Sequence, residues 1–367
     1  MRTREVYLVE DETLGVAATR IFNLDLAYPL TRLDIEVVGI YFSDEPDCNP
    51  LISRCITKIE IVDGSDVLFS MDMREAQALQ YYTHGKQPET VICARAAGSN
   101  RSHAVIHFGR DDSDQDWMLD PKKFINPQLK ITYNLPVGVD GGWTAGLQTL
   151  SVKATVCEEP IRAPVGFLMG KQIYEWAKGT TGDETIDMPR DYLYRLALMR
   201  CYDFAGGYNV EFTNFKLSCD IDRFVPFNID CRDLRLKEYE EYGIMYVHTV
   251  GESDGAAGFG VWTPFGNTRG GYPMAPDPTQ APVVTGFAPR RVWVVDTAGN
   301  PIDDNAVIEC GAFGTLLNDC CPYKFGNLRD QEEFFDPTPY QSVRLIVTQG
   351  GTALLLSAIV LQQLRNY

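Results

Sequence analysis

The order Thr57-Lys58-Ile59-Glu60-Ile61, then Val67-Leu68-Phe69, then Asp72 to Gly85 decides the fold of this chain, because it is written twice. In the first two segments apolar and other residues follow the short period of a half-buried strand, and Asp63-Gly64-Ser65 between them has the chemistry of a tight turn. Asp72 then caps a helix from Met73 to Thr83, with Glu75 at the third helical position as in a capping box and Gly85 placed to end it. The order returns as Thr213-Asn214-Phe215-Lys216-Leu217, then Phe224-Val225-Pro226-Phe227, then a helix from Leu234 to Tyr242 preceded by Asp233 and ended by Gly243. Thr57 and Thr213 are 156 residues apart, and Gly85 and Gly243 are 158 apart. Upstream, Phe22-Asn23-Leu24 and Thr31-Arg32-Leu33-Asp34-Ile35 are echoed by Ile186-Asp187-Met188 and Tyr194-Arg195-Leu196-Ala197-Leu198, at offsets of 164 and 163. Such steady spacing points to one β unit built twice.

Working outward, the remaining apolar runs also alternate: Leu33-Asp34-Ile35-Glu36-Val37, Leu129 to Tyr133, Leu150 to Val156, Val292 to Val295 and Val343 to Val347. Asp140-Gly141-Gly142, Ala298-Gly299-Asn300-Pro301 and Gln349-Gly350-Gly351 punctuate them as turns. With 31 Gly and 21 Pro among short strands, the expected class is all-β, a sandwich. The division expected is an N-terminal arm over 1–13, mobile until assembly, a first unit over 14–165 and a second over 183–367. Residues 166–182 are expected as a linker with a short helix, Gly166 to Lys178, and 244–289 as a long loop rich in Gly and Pro.

Composition narrows the function classes. At 367 residues the chain can bury roughly three quarters of its unfolded surface, so it needs neither disulfides nor a metal to hold a core. A formal charge of −17 repels phosphates, and the N-terminal Arg2 and Arg4 are soon cancelled by Glu5, Glu10, Asp11 and Glu12, so direct packaging of nucleic acid is not expected. The ten cysteines form no C-x-x-C pair and sit mostly in apolar runs such as Ala154-Thr155-Val156-Cys157, as small hydrophobes in a chain made in a reducing compartment. No signal-peptide core opens the chain, and Gly350 to Leu361 is too short to span a membrane.

Catalytic patterns fail on their own mechanics. Gly251-Glu252-Ser253-Asp254-Gly255 fits a nucleophile elbow, but the following Ala256 to Gly260 makes a poor helix, and His84, His103, His107 and His248 all precede Ser253, the wrong order for the triad. Asp111-Asp112-Ser113-Asp114-Gln115-Asp116 alternates carboxylates as a cation loop does, yet Trp117 stands where an EF-hand needs Gly, so a solvated acidic loop is expected. Glu158/Glu159, Glu240/Glu241 and Glu332/Glu333 are adjacent residues that point to opposite faces of a strand, not a glycosidase pair. No phosphate-binding glycine loop is present. The expectation is no catalytic, cofactor-binding or metal-ligating residues, and no cofactor.

The chain also resembles a known family, the double jelly-roll major capsid proteins of tailless, membrane-containing bacterial viruses and their relatives in the adenovirus lineage. The likeness is carried by Ile56 to Gly85 with His84-Gly85-Lys86, by Ile106-His107-Phe108-Gly109-Arg110 running to Trp117-Met118-Leu119-Asp120, and by Phe124 with Leu129 to Asn134. It continues in Asp187-Met188-Pro189 with Tyr194-Arg195-Leu196 and in the closing pair Val343 to Gln349 and Ala353 to Tyr367. The resemblance covers nearly the whole chain and implies two tandem eight-stranded jelly rolls with short helices. It implies a structural major capsid protein, made in the host cytoplasm and located in the virion, whose homotrimers are pseudo-hexameric and tile an icosahedral shell. Its implied partners are itself, minor capsid proteins and an internal membrane, without direct nucleic-acid binding. Tower loops are implied as well, for which 244–289 with Phe259, Trp262, Phe265 and Tyr272 is the candidate. On this view, removing Met1 to Thr13 leaves trimers intact and impairs the shell. The rival readings are a carbohydrate-binding or carbohydrate-active β-sandwich, tested by whether Trp117, Trp143, Trp176, Trp262 and Trp293 form a platform, and a minor vertex or spike protein.

Overall fold

The structure is a computed structural model describing residues 2–41, 49–95, 97–136, 142–160, 162–202, 207–252, 259–274, 283–288, 291–295, 307–353 and 355–367. The first half of the chain runs β1 (Thr3–Leu14), β2 (Ala17–Asn23), β3 (Leu30–Tyr41), β4 (Ile56–Asp63), β5 (Asp66–Met71), helix α1 (Met73–His84), β6 (Thr90–Ala94), β7 (Gly98–His107), β8 (Pro127–Asn134) and β9 (Trp143–Cys157). The second opens with β10 (Gly166–Ala177), β11 (Asp183–Asp187), β12 (Leu193–Cys201), α2 (Tyr208–Glu211), β13 (Phe212–Cys219), β14 (Phe224–Asp230) and α3 (Cys231–Tyr242). It continues with β15 (Met245–Glu252), β16 (Phe259–Trp262), β17 (Phe265–Met274), β18 (Val283–Ala288), β19 (Arg291–Val295) and β20 (Val307–Leu317), and closes with β21 (Cys320–Lys324), β22 (Val343–Gln349) and β23 (Leu356–Asn366).

Strand order makes the duplication explicit. The first half pairs β1-β9-β3-β7 in one sheet and β2-β8-β4-β5 in another; the second pairs β10-β23-β12-β21 and β11-β22-β13-β14, the same order position for position. Each pair of sheets closes on its own apolar core. Leu33, Ile35, Ile59, Ile61, Leu129, Ile131, Leu150 and Val152 meet in the first, and Ile186, Met199, Phe215, Leu217, Leu345, Val347, Ile359 and Leu361 in the second. The chain is a double jelly roll, as the repeat and the resemblance led us to expect.

The two rolls share sheets. β5 of the first lies parallel to β10 of the second, with Ser70 opposite Lys171, and this joins their sheets into one of eight strands. β6 likewise lies parallel to β15, through which β15, β20 and β17 extend the other first-roll sheet to eight strands.

Four local expectations are corrected. Thr3–Leu14 is not a loose arm but a strand paired with β9 from Thr3↔Cys157 to Leu14↔Gln148. Gly166 to Lys178 is not a helix: Gly166–Ala177 is a strand held between β5 and β23, and burial of both its faces over Gly166 to Gly170 removes the alternation that would have announced it. The region 244–289 is largely strand, β15 to β18, with β16-β19-β18 forming a small sheet of its own. Its Gly270 misled because it faces a ring across the ladder, where a Cβ would stand 2.5 Å from Phe313; on the partner strand β20, a Cβ on Gly311 would likewise stand 2.3 Å from Tyr272. Finally, α3 begins three residues before Leu234, with Asp230 as its cap, accepting from Arg232 N at 2.7 Å.

Candidate functional site: the seam between the rolls and the open edges

The charged part of the seam is built on the start of α1. Asp72 accepts from Glu75 N at 2.7 Å and Glu75 accepts from Asp72 N at 3.0 Å, the expected capping box. The second roll uses the same carboxylates. Arg200 on β12, fully buried, lies 2.8 Å from Asp72 and 3.3 Å from Glu75, and its guanidinium sits 3.7 Å over the Tyr202 ring, whose hydroxyl donates to Glu75 at 3.1 Å. Burial by itself would raise Asp72, but Arg200, Arg74 and the Glu75 amide more than offset that and hold it below the ordinary carboxylate range. Glu75 goes the other way: burial, then the neighbouring Asp72 charge, push it up to about 7.

The aromatic part of the seam joins α1 to α3. Tyr82 lies 2.9 Å from the Cys320 carbonyl and 3.2 Å from Glu238, while Tyr242 donates to the Tyr82 carbonyl at 2.6 Å and Tyr81 to the Tyr242 carbonyl at 3.2 Å. Burial pushes Glu238 up to about 7. At the far end of α1, His84 stacks on His107 with ring centroids 3.7 Å apart. Burial first, then the facing imidazole, push His84 down to about 3, so it is neutral at ordinary pH. The contacts of Asp72, Glu75, Tyr81 and Tyr82 with Arg200, Tyr202, Glu238, Tyr242 and Cys320 fasten the two rolls together. Burial holds the thiols of Cys55, Cys310 and Cys320 protonated, each pushed up to about 12.

The motifs weighed from sequence go to structural ends. In the acidic loop, Asp114 takes a two-point pair from Arg110 at 2.7 and 2.9 Å, Asp116 takes Arg110 at 2.9 Å as well as Arg162, and Asp112 takes Arg32 at 2.8 Å and His107 at 3.1 Å. Three of the loop's four carboxylates are paired with arginines rather than simply solvated, Asp111 accepting instead from Ser113, and Arg110 also covers the Trp117 ring at 4.3 Å. Among the described residues, no group of three His, Cys, Asp or Glu side chains converges as metal ligands. Glu158 pairs with Arg4 at 2.6 Å and Glu241 with Lys324, while Glu333 accepts from Asn327 N at 2.8 Å. Ser253, Asp254 and Gly255 lie outside the described residues, as does Ala298 to Pro301. Trp117, Trp143 and Trp176 are buried and Trp262 half-buried against the core, so these four form no glycan platform, while the side chain of Trp293 lies outside the described residues. No helix among the described residues is long and apolar enough to cross a membrane.

Sequence reasoning missed the seam altogether. Asp72 reads as a local cap, and nothing in the chain's order ties it to Arg200, 128 residues away. It also missed that β1 and β14, among the strands that end a sheet, carry exposed large side chains: Tyr7 is 55% exposed on β1, and Phe224 is 47% exposed on β14.

No protein-family model and no curated protein matches the chain. Solved structures do. A chain in the atomic structure of Sulfolobus Turreted Icosahedral Virus is similar with a TM-score of 0.61 at 11% identity, over 99% of this chain and 90% of that one. The crystal structure of the STIV MCP is similar with a TM-score of 0.59 at 10% identity, covering 99% and 96%. The major capsid protein of bacteriophage PM2 gives 0.55 at 10% identity, covering 100% and 98%. At such identities the likeness establishes the fold, a double jelly roll from end to end.

Proposed function

We propose that the chain is the major capsid protein of an icosahedral virus, acting by assembly and enclosure and without a catalytic step. The carrying observation is that two rolls of identical strand order are fused in one chain and match viral capsid proteins over nearly the whole length of both. A duplicated roll suits this task because three such chains supply six similar units to a ring, with heterologous contacts that close. The boundary between units falls before Gly166, since β10 belongs to the second roll's strand order. Its partners are further copies of itself, then minor capsid proteins and a membrane beneath the shell. The charge of −17 argues that the genome is not held by direct contact.

The test is the native mass by light scattering behind a sizing column. We expect about 123 kDa, three times 41.1 kDa. A monomer at every concentration would overturn the capsomer reading.

A further inference from the structure

Two rolls with the same strand order should make the same contacts, and at the edge formed by β5 they do not. β5 in the first roll does not end its sheet but continues, parallel, into β10. The counterpart of β5 is β14, and β14 borders only β13. The counterpart of β10 is β1, and β1 borders only β9. One chain therefore holds a complete junction of this kind and the two separate halves of another.

Burial draws the same distinction. β10, flanked on both sides, is buried from Gly166 to Gly170, whereas β1 is exposed or half-exposed at every position but Leu14. On the other half, Phe224 and Val225 of β14 are exposed, and Ile221 in the preceding turn is 87% exposed. Open strand edges bearing large apolar side chains are what natural sheets avoid unless another strand covers them.

We infer that β14 of one copy adds in parallel to β1 of the next, repeating between chains the junction that β5 and β10 make within one; this rests on the trimeric reading above. The register follows from the equivalent ladders. Leu33 lies opposite Ala154 as Leu196 lies opposite Gln362, so Ala154 and Gln362 correspond. Val6 lies opposite Ala154 and Gly170 opposite Gln362, so Val6 corresponds to Gly170 and Tyr7 to Lys171. Counting back from the caps Asp72 and Asp230, Ser70 corresponds to Asn228. The counterpart of the Ser70–Lys171 pairing is Asn228 opposite Tyr7 of the next chain, and both residues are exposed. Main-chain bonds along such an added strand supply affinity, and the side chains at its edge supply selectivity. The contact joins different patches on the two partners, as a closed ring of three demands.

Tyr7→Cys and Asn228→Cys in one chain test this. Mild oxidation or a short bismaleimide should give covalent dimers and trimers from the double variant, dimers only from a mixture of the two single variants, and nothing from either single variant alone. A double variant of trimer mass that forms no link with either reagent overturns the strand pairing and leaves the capsid reading standing; an unaltered chain that stays monomeric overturns both. Should the substitutions themselves prevent association, the unaltered trimer decides. Amides of Thr3–Leu14 and Phe224–Asp230 that point away from β9 and β13 must be protected from hydrogen exchange, and exchange at open-edge rates overturns the inference.

Discussion

Replacing Arg200 by Met tests the charged seam most directly. The guanidinium is fully buried, 2.8 Å from Asp72 and 3.3 Å from Glu75, so its removal leaves two carboxylates in a dry site with Arg74, 3.4 Å from Asp72, as the remaining cation. Breaking a buried pair in this one-sided way costs about 3–5 kcal/mol, most of it from the stranded charge. With a urea slope of about 3 kcal/mol per molar, the unfolding midpoint at pH 8 should fall by about 1–1.7 M. Without Arg200 burial is opposed by fewer partners at both carboxylates, so each holds a proton more readily in the fold than in the parent, and the variant's deficit should grow as pH rises and shrink toward pH 5. A triple variant, Arg200→Met with Asp72→Asn and Glu75→Gln, keeps a capping side chain at 72 and buries no charge, and should return to within about 1 kcal/mol of the parent. Urea unfolding followed by circular dichroism and tryptophan fluorescence, at fixed protein concentration, measures all three. A single-variant loss under about 1 kcal/mol, or a triple variant as damaged as the single, would refute the reasoning.

Three further outcomes follow from the structure. Glu238 is raised by burial from 4.5 to about 7, so its contribution to stability is present below 4.5 and lost as pH climbs through 7; Glu238→Gln should flatten the fall in thermal midpoint between pH 6 and pH 8, and an unchanged slope would count against a buried, protonated Glu238. A Cβ on Gly166 would stand 2.4 Å from the Arg365 carbonyl, so Gly166→Ala must push β10 off β23 and should cost about 1–3 kcal/mol in urea unfolding, against no change if the strands yield freely. Deleting residues 1–13 removes β1, and light scattering should show monomers, the reverse of what the sequence suggested for a loose arm; a surviving trimer would place the contact elsewhere.

The duplicated pattern was legible because each copy repeats its local chemistry. Thr57 and Thr213 fall one residue inside β4 and β13, Asp72 and Glu75 form the capping box, and Gly85 and Gly243 end their helices. β10 was not legible, since Met169, Lys171, Gln172, Glu175 and Ala177 are good helix formers and only long-range pairing makes the segment a strand. In β17, Gly270 reads as loop but is the space into which Phe313 packs, and Gly311 on β20 makes the same room for Tyr272. The seam was hidden for a different reason: Tyr82 with Cys320 and Asp72 with Arg200 are pairings 238 and 128 residues apart, and no periodicity carries information across such distances.

The place of β10 between β5 and β23 also dictates an order of events during synthesis. A ribosome releases the first roll with β5 open on the side away from β4 and β6 open at its edge, and both vacancies are filled by residues made later. β23 then completes the sheet by lying between β10 and β12, and Arg365 near its end reaches Asp66, 299 positions earlier. Closing loops of that length is slow, and nascent chains wait with unsatisfied edges that invite pairing with one another. Cleavage between Cys157 and Gly166 would separate two stretches of sequence, each with an unfinished sheet, and losing the final strand would part β10 from β12 and split the sheet that spans both rolls.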